Sequence, residues 1–230
     1  NMTQTIVIVG ASHASVQGID TLRREGHAGP IVLVGDEPHL PYNRPPLSKK
    51  FLSGELERER LLLRSPHFYE QHGVETRLGV RVTAIDRGAQ RLRLSDGGEL
   101  SYGQLLLCVG SRPRRLEVPG YDLAGIHYLR TIADVDAIRA DLPGAKQLVV
   151  VGAGYIGLEA AASARHLGLE VTVLEMADRP MNRVVAPELS TFYTRLHERA
   201  GVRILCNTSV TAFMGEGHVR AVACGDREFP

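Results

Sequence analysis

The chain has 230 residues, of which 43% are hydrophobic and 23% charged, with 27 basic and 26 acidic side chains. This composition is typical of a folded protein with one large domain or two modest ones, and it excludes wholesale disorder. A formal net charge of +1 gives no electrostatic basis for binding nucleic acid, and no apolar run reaches the roughly 18 residues of a membrane span.

Two segments share one order of elements, and each predicts a βαβ unit. The first contains a β-branched run at 5–9, a small-residue turn at 10–15 and a helix-like stretch at 14–26. A second apolar run at 31–34 and the carboxylate of Asp36 follow. The second repeats that order at 147–151, 152–157, 156–168, 171–174 and Glu175. Short apolar runs that lead into glycine-bearing turns and then into helical periodicity are typical of Rossmann-like folds.

The segment between the two units predicts different structure. A proline-rich loop is predicted at 38–46, and a short helix with Ser48 as its N-cap at 47–54. A β-meander is predicted at 76–100, and a buried parallel strand at 105–109. A break at 111–114 indicates a domain boundary, and a further helical stretch ends at 139–144. The last part predicts a helix, a strand and then short strands, at 187–200, 202–205 and up to 223.

These elements predict an α/β fold of three layers. It comprises two Rossmann-like dinucleotide-binding domains, residues 1–114 and 115–230, with the meander in the first. Two dinucleotide folds in one chain suggest two dinucleotides. One nicotinamide and one flavin is the economical pairing, because a hydride donor and an electron acceptor together make a redox relay.

The second turn, GAGYIG, satisfies the G-x-G-x-x-G pattern of dinucleotide sites. Gly152 permits the tight turn, Gly154 lets the backbone approach a pyrophosphate, and Gly157 allows close helix–strand packing. The helix N-terminus supplies N–H groups and a dipole to the phosphates. Glu175 is expected to accept hydrogen bonds from both ribose hydroxyls and to repel a 2′-phosphate, so the sequence favours NADH over NADPH.

The first turn, GASHAS, departs from this pattern because Ser12 and Ser15 occupy the second and third glycine positions. A serine at the third position is a modest change. The Cβ of Ser12 points to where a pyrophosphate approaches the backbone, whereas its hydroxyl is able to donate to a phosphate oxygen. The residues alone leave both interpretations open, a cofactor turn and a purely structural one.

A longer set of motifs resembles a known family. VGDE followed by PYNRPPLSK, within 34–49, resembles the FAD-contacting segment of oxygenase-coupled ferredoxin reductases, the putidaredoxin and rubredoxin reductase type of FAD-dependent pyridine nucleotide oxidoreductase. GAGYIGLE at 152–159 resembles their NADH motif, and LCVGSRPR at 107–114 and LRT at 129–131 resemble two further segments. The resemblance covers essentially the whole chain in order, and RPPLSK is its most specific part.

The resemblance implies FAD and NADH as cofactors and assigns residues to them. The expected cofactor-binding positions are Gly10, Ser12, His13, Ala14, Ser15, Asp36, Arg44, Lys49, Val82, Gly110, Arg130, Gly152, Gly154, Tyr155, Ile156, Gly157, Glu159, Glu175 and Arg183. Lys49 and Glu159 are also the expected catalytic pair, because they resemble an ion pair close to the reactive face of the flavin. A lysine there stabilises the negative charge that arrives with hydride, and a paired glutamate fixes its position.

The implied activity is that of an FAD-dependent NADH:ferredoxin or NADH:rubredoxin reductase. Hydride passes from NADH to flavin N5, and single electrons then pass to a small iron–sulfur protein. Two alternatives remain open: an NADH oxidase or dehydrogenase with another acceptor, and a non-catalytic nucleotide-binding scaffold. Family members continue beyond the point matched by Pro230, so the chain is expected to be incomplete at its C-terminus.

The cysteines and histidines predict neither a redox disulfide nor a metal site. The three cysteines, Cys108, Cys206 and Cys224, are far apart and form no C-x₄-C or C-x-x-C motif. The nine histidines show no ligand spacing on a helix. Widely spaced thiols, expected to be small buried apolar residues, favour a reducing, cytoplasmic compartment.

Overall fold

The structure is a computed structural model that describes residues 4–230. The chain forms two compact units, the first comprising the residues up to Asn43 and Arg58–Arg112, the second comprising Arg44–Glu57 and Pro113–Pro230. The division after Arg112 falls within the predicted break at 111–114. The segment 44–57, however, belongs to the second unit, whereas the sequence placed it in the first domain.

The first unit is built on a parallel sheet. Its elements are β1 (Ile6–Val9), α1 (His13–Arg24), β2 (Ile31–Gly35), α2 (Pro66–Gln71), β3 (Val74–Leu78), β4 (Val82–Asp86), β5 (Arg91–Leu94), β6 (Glu99–Ser101) and β7 (Gln104–Leu107). The sheet has the order β3-β2-β1-β7, and all of its pairings are parallel. The first predicted βαβ unit is thus confirmed, with β1 and β2 buried in the sheet interior.

The predicted β-meander is confirmed for β4, β5 and β6, which pair in an antiparallel sheet. Its predicted start at residue 76 is wrong, because residues 76–78 lie in β3 and pair with β2. The alternation of side chains continues through Gly79, which has φ +73° and separates the two strands. Periodicity alone therefore did not show where one sheet ends and the next begins.

The predicted strand at 105–109 is parallel as expected, but the expectation that it is buried is wrong. β7 pairs with β1 and forms one edge of the sheet. Within the described residues it has no strand on its other side, and Leu107 is 53% exposed. The strand also ends at Leu107, so Val109, which is 67% exposed, lies outside it and the predicted end at residue 109 is wrong.

The second unit repeats the arrangement of the first. Its elements are α3 (Ile132–Asp141), β8 (Gln147–Val151), α4 (Tyr155–His166), β9 (Glu170–Leu174), α5 (Pro187–Arg199), β10 (Val202–Leu205), β11 (Ala212–Glu216), β12 (His218–Cys224) and β13 (Arg227–Phe229). A parallel sheet of order β10-β9-β8 is accompanied by an antiparallel sheet of order β11-β12-β13. The second predicted βαβ unit is confirmed. Its core joins α4 and β9 through residues such as Leu158, Ala161 and Val173.

The predicted short helix at 47–54 is wrong, and so is the assignment of Ser48 as its N-cap. The chain instead forms one 3-10 turn over Pro45–Ser48, with Ser48 as its last residue. The two prolines at the start of this turn fix φ at helical values. Lys49, with φ −126° and ψ −119°, leaves the helical region and ends the turn.

No helix within residues 4–230 combines the length and the apolar character that crossing a lipid bilayer requires.

Candidate functional site

The second glycine turn lies between β8 and α4, and a different structural feature explains why glycine occupies each of its three positions. Gly152 has φ +102°, a conformation that side chains rarely adopt. A Cβ at Gly157 would overlap the carbonyl oxygen of Gly152, so only glycine fits there. A Cβ at Gly154 would meet no protein atom within 4 Å. The space beside Gly154 is therefore open for a ligand that approaches the backbone.

The carboxylate of Glu175 holds this turn in place. Glu175 follows β9, and its Oε2 accepts a hydrogen bond from the N–H of Ala153 at 2.7 Å. Its Oε1 accepts one from the N–H of Ala177, also at 2.7 Å. The carboxylate thus connects the glycine turn to the segment after β9. Each oxygen retains acceptor capacity, so a ribose hydroxyl is able to add to these bonds.

Helix α4 begins at the glycine turn and directs its N-terminus toward the open space beside Gly154. Gly154 is the N-cap residue, in extended conformation. The first N–H groups of a helix have no partner within the helix, and the helix dipole is positive at this end. Tyr155 and Ile156 are 52% and 51% exposed. The structure thus brings the predicted residues of the second turn together at a helix N-terminus, an arrangement whose free N–H groups suit an anion.

The first turn, between β1 and α1, is a related but different arrangement. Gly10 has φ +108°, and a Cβ there would overlap the carbonyl oxygen of Cys108. Ser15, at the third glycine position, is fully buried. Its Oγ accepts from the N–H of Ser12 at 2.9 Å and donates to the carbonyl of Ser12 at 2.7 Å. Ser15 thus fixes the start of α1 from inside the turn.

The first turn also presents groups that suit a phosphate. Ser12 is the N-cap of α1 in extended conformation, with φ −141°, so it needs no glycine. Its Oγ is buried and faces the N–H of Ser15 in a capping box, but it makes no hydrogen bond of normal geometry with residues 4–230. His13 and Ala14, the first two residues of α1, are exposed. An orphaned hydroxyl beside a helix N-terminus fits a bound diphosphate.

Asp36 directly follows β2, and Val82 is the first residue of β4. Arg81, the residue before Val82, donates from Nη2 to Oδ2 of Asp36 at 2.8 Å. The side chains of Arg81 and Asp36 are 70% and 53% exposed, so this ion pair is weak and is able to yield to a polar ligand. Sequence reasoning missed Arg81, which carries no motif of its own.

The structure joins Lys49 and Glu159, the expected catalytic pair, within the second unit. Lys49 Nζ lies 2.7 Å from Oε2 of Glu159 and also donates to the carbonyl of Pro45 at 3.1 Å. The hydroxyl of Ser48 donates to the same Glu159 oxygen at 2.6 Å. The side chains of Lys49 and Glu159 are 47% and 33% exposed. The sequence did not predict the hydrogen bond from Ser48 to Glu159, although Ser48 lies within the RPPLSK motif.

Arg44 and Arg130 are joined in the same unit. The guanidinium of Arg44 donates from Nη1 to the backbone carbonyl of Arg130 at 2.8 Å. The N–H of Arg130 donates to Asp134 at the start of α3. Arg44 thus secures the start of the segment 44–57 to the chain before α3.

Two expected cofactor residues are not joined to these groups. Gly110 follows β7 with φ +63° and is exposed. Arg183 is exposed in the turn between β9 and α5.

The three cysteines are free thiols, with Cys108 and Cys224 buried and Cys206 partly buried. Burial raises the pKa of each thiol, so none is an activated nucleophile. Within residues 4–230 no group of three or more His, Cys, Asp or Glu side chains is placed to hold a metal ion.

Comparison with known proteins decides the family. Residues 4–228 match the pyridine nucleotide-disulphide oxidoreductase family. The chain belongs to this family. It is 42% identical over 231 residues to a ferredoxin–NAD(P)(+) reductase of Sphingomonas sp., which covers 99% of this chain and 56% of the relative. It is 43% identical over 206 residues to rhodocoxin reductase of Rhodococcus erythropolis, which covers 90% of this chain and 48% of the relative.

The same similarity extends to solved structures. The crystal structure of the covalent putidaredoxin reductase–putidaredoxin complex matches with a TM-score of 0.91 and 41% sequence identity. That match covers 100% of this chain and 57% of the other. The chain therefore spans about half the length of the family members it matches.

Proposed function

We propose that the chain carries the FAD-binding and NADH-binding parts of an NADH-dependent ferredoxin or rubredoxin reductase. The observation that carries this proposal is the pair of strand–turn–helix cradles, one after β1 and one after β8. The first unit is assigned to FAD and the second to NADH. Similar proteins named ferredoxin–NAD(P)(+) reductase and rhodocoxin reductase support the assignment.

In the second unit the chain's own groups account for NADH binding. The open backbone at Gly154 and the N-terminus of α4 receive the pyrophosphate. The carboxylate of Glu175 keeps the turn in shape and accepts from the ribose hydroxyls. A 2′-phosphate would bring negative charge against Glu175, so the site prefers NADH to NADPH.

In the first unit the corresponding groups account for FAD binding. Ser12 Oγ and the first N–H groups of α1 receive the diphosphate, with His13 beside them. Asp36, released from Arg81, accepts from the adenosine ribose, and the backbone near Val82 borders the adenine. These roles use the polar group that the fold leaves without a partner and an ion pair weak enough to open.

The catalytic part of the proposal assigns Lys49 and Glu159 to the reactive face of the flavin. Bound FAD would supply an acceptor for hydride from NADH and a donor of single electrons to an iron–sulfur protein. The ammonium of Lys49 offsets negative charge that arrives with the hydride. Glu159 holds that ammonium through the 2.7 Å ion pair. Arg44 and Arg130 are proposed to border the same cofactor.

A cytoplasmic location completes the proposal. Its support is the set of three free thiols, two of them buried, which suits a reducing compartment. The proposed partner is a small ferredoxin or rubredoxin, because the similar proteins carry names of that kind.

The proposal is tested on the purified full-length protein. We expect visible absorbance of bound flavin, its bleaching by NADH without oxygen, and its return when an oxidised ferredoxin or rubredoxin is added. A colourless protein that cannot be reconstituted with FAD would contradict the proposal and support a nucleotide-binding scaffold. Reoxidation by oxygen or a quinone, with no response to any iron–sulfur protein, would instead identify an oxidase or dehydrogenase.

The preference for NADH has its own test. In Glu175→Ala the ratio of kcat/KM for NADH to that for NADPH is expected to fall, because the carboxylate no longer opposes a 2′-phosphate. Glu170→Ala is the matched control, because Glu170 is an exposed glutamate at the start of β9, whereas Glu175 follows the end of that strand. An unchanged ratio in Glu175→Ala would count against the ribose assignment.

A further inference from the structure

We propose that Ser48 and Ser163 are positioning residues that fix the Lys49–Glu159 pair on helix α4. The inference rests on the proposed function, since it concerns the pair assigned there to hydride transfer. Neither serine is among the residues that the sequence assigned to a cofactor. Three hydrogen bonds and one ion pair, all within the second unit, carry the argument.

Two donors converge on one carboxylate oxygen of Glu159. Ser48 Oγ donates to Glu159 Oε2 at 2.6 Å, and Lys49 Nζ lies 2.7 Å from the same oxygen. Hydrogen bonds to an ionised carboxylate are shorter and stronger than those between neutral groups. Two such donors fix the rotation of the carboxylate, which a single flexible ammonium would not do.

Ser48 is itself attached to helix α4. Ser163 Oγ donates to the backbone carbonyl of Ser48 at 2.8 Å. Glu159 and Ser163 are four residues apart on α4, so they share one face of the helix. The helix therefore holds Ser48 at two points, once through its hydroxyl and once through its carbonyl. Lys49 follows Ser48 directly, so the start of its side chain is placed by the same two bonds.

Ser48 and the Lys49–Glu159 pair differ in burial. Ser48 is only 4% exposed, whereas the side chains of Lys49 and Glu159 are 47% and 33% exposed. An ion pair so open to water contributes little to stability and by itself orders its long side chains poorly. The buried hydroxyl supplies the order that the pair lacks. A charge stabilises a transition state best when it is already in place. We assign to the two serines the role of holding the ammonium of Lys49 in position.

The experiment uses the full-length flavoprotein and four variants. Ser48→Ala removes the bond to Glu159, Ser163→Ala removes the bond to the Ser48 carbonyl, and Ser48→Thr keeps a hydroxyl at the same position. Ser53→Ala is the matched control in the same segment, because among residues 4–230 the hydroxyl of Ser53 bonds only Lys50 and Glu55 at the surface. Each protein is reduced by NADH in a single anaerobic turnover, and the midpoint potential of its flavin is measured.

Loss of the Ser48 hydroxyl is expected to slow flavin reduction about tenfold, with little change in the affinity for NADH. The midpoint potential is expected to become more negative, because a less ordered ammonium stabilises the reduced flavin less. Ser163→Ala should change both quantities in the same direction by less. Ser48→Thr should restore them, and Ser53→Ala should match the wild type.

A double-mutant cycle separates positioning from a general structural role. In a Glu159→Gln background, Ser48→Ala should add little further effect, because its hydroxyl acts through that carboxylate. An equal effect in both backgrounds would overturn the inference. A reduction rate and a midpoint potential in Ser48→Ala that equal those of the wild type would also overturn the inference. If NADH still reduces the wild-type flavin normally, that result leaves the proposed function intact. If Ser48→Ala does not fold, Ser163→Ala decides by the same two measurements. A wild-type protein without flavin would overturn the proposed function and this inference with it.

Discussion

At the scale of single residues, Gly157 and Gly154 provide a prediction that separates packing from ligand binding. Gly157→Ala places a methyl group against the carbonyl of Gly152, so we expect the free energy of unfolding to fall by about 1–3 kcal/mol. Gly154→Ala meets no protein atom and should cost less than about 1 kcal/mol. It should nevertheless weaken NADH binding, measured by calorimetric titration. Wild-type affinity in Gly154→Ala would contradict the pyrophosphate assignment.

A second residue-scale prediction concerns Tyr69 and pH. Tyr69 is 3% exposed, its hydroxyl has no hydrogen-bond partner among residues 4–230, and burial raises its pKa to about 12, slightly opposed by Arg64. The unfolded state therefore loses this proton first as pH rises above 10.0, the ordinary value. Stability is expected to decline from there toward the higher pKa.

The matched variant for this prediction is Tyr69→Phe, which removes the hydroxyl and keeps the ring. At neutral pH its unfolding free energy should equal or exceed that of the wild type, because a buried hydroxyl without a partner is a cost. Denaturant unfolding at about pH 9 and about pH 11 should show a smaller loss of stability in the variant. Equal losses in both proteins would show that Tyr69 ionises normally.

At the scale of elements, the N-terminus of α3 gives the third prediction. Thr131 Oγ1 accepts from the N–H of Asp134 at 3.2 Å, and the Asp134 carboxylate accepts from the N–H of Thr131 at 2.7 Å. This capping box satisfies two groups at the start of the helix. Thr131→Ala should lower the unfolding free energy by about 1 kcal/mol.

The control for the cap is Thr191→Ala. Thr191 is an exposed residue inside α5, and within the described part of the chain its hydroxyl bonds only the carbonyl of Pro187. That hydroxyl satisfies no orphan N–H group, so its loss should change stability by less than about 0.5 kcal/mol. Both values come from urea unfolding. A Thr131→Ala protein as stable as the control would show that the cap contributes nothing.

The elements were also where the sequence was most informative. The runs at 5–9 and 147–151 predicted the strands β1 and β8, because β-branched residues continue directly into glycine turns. The exposure of β7 could not be predicted, because its three leucines, 105–107, are apolar yet lie at a sheet edge. Apolar content reports the chemistry of a segment, whereas exposure depends on which neighbours the topology supplies.

At the scale of the whole molecule, the segment 44–57 groups with the second unit through contacts that the local sequence does not encode. Its partners are remote in sequence: Ser48 bonds Glu159 and Ser163, more than one hundred residues later. No local periodicity encodes such a contact, so the sequence assigned the segment to the unit of its chain neighbours. Only the resemblance through RPPLSK paired Lys49 with Glu159, and it did so without indicating Ser48, Ser163 or Arg81.

The last prediction follows from how that segment is secured. Arg139, on α3, donates to the backbone carbonyls of Phe51 and Leu52 and places its guanidinium 4.7 Å from the centroid of the Phe51 ring. Through two carbonyls and a cation–π contact, the one side chain of Arg139 attaches the middle of the segment to α3. In Arg139→Ala we expect the unfolding free energy to fall by about 1–3 kcal/mol.

The same substitution should also loosen the segment before the protein unfolds. Trypsin should cleave after Lys49 or Lys50 at least several-fold faster in Arg139→Ala, because protease access requires the backbone there to leave α3 and α4. Arg195→Ala, which removes an exposed arginine from α5, is the matched control and should leave cleavage unchanged. Mass spectrometry of the fragments identifies the site. Unchanged cleavage in Arg139→Ala would mean that the contacts of Ser48 and Arg44 with the second unit suffice without Arg139.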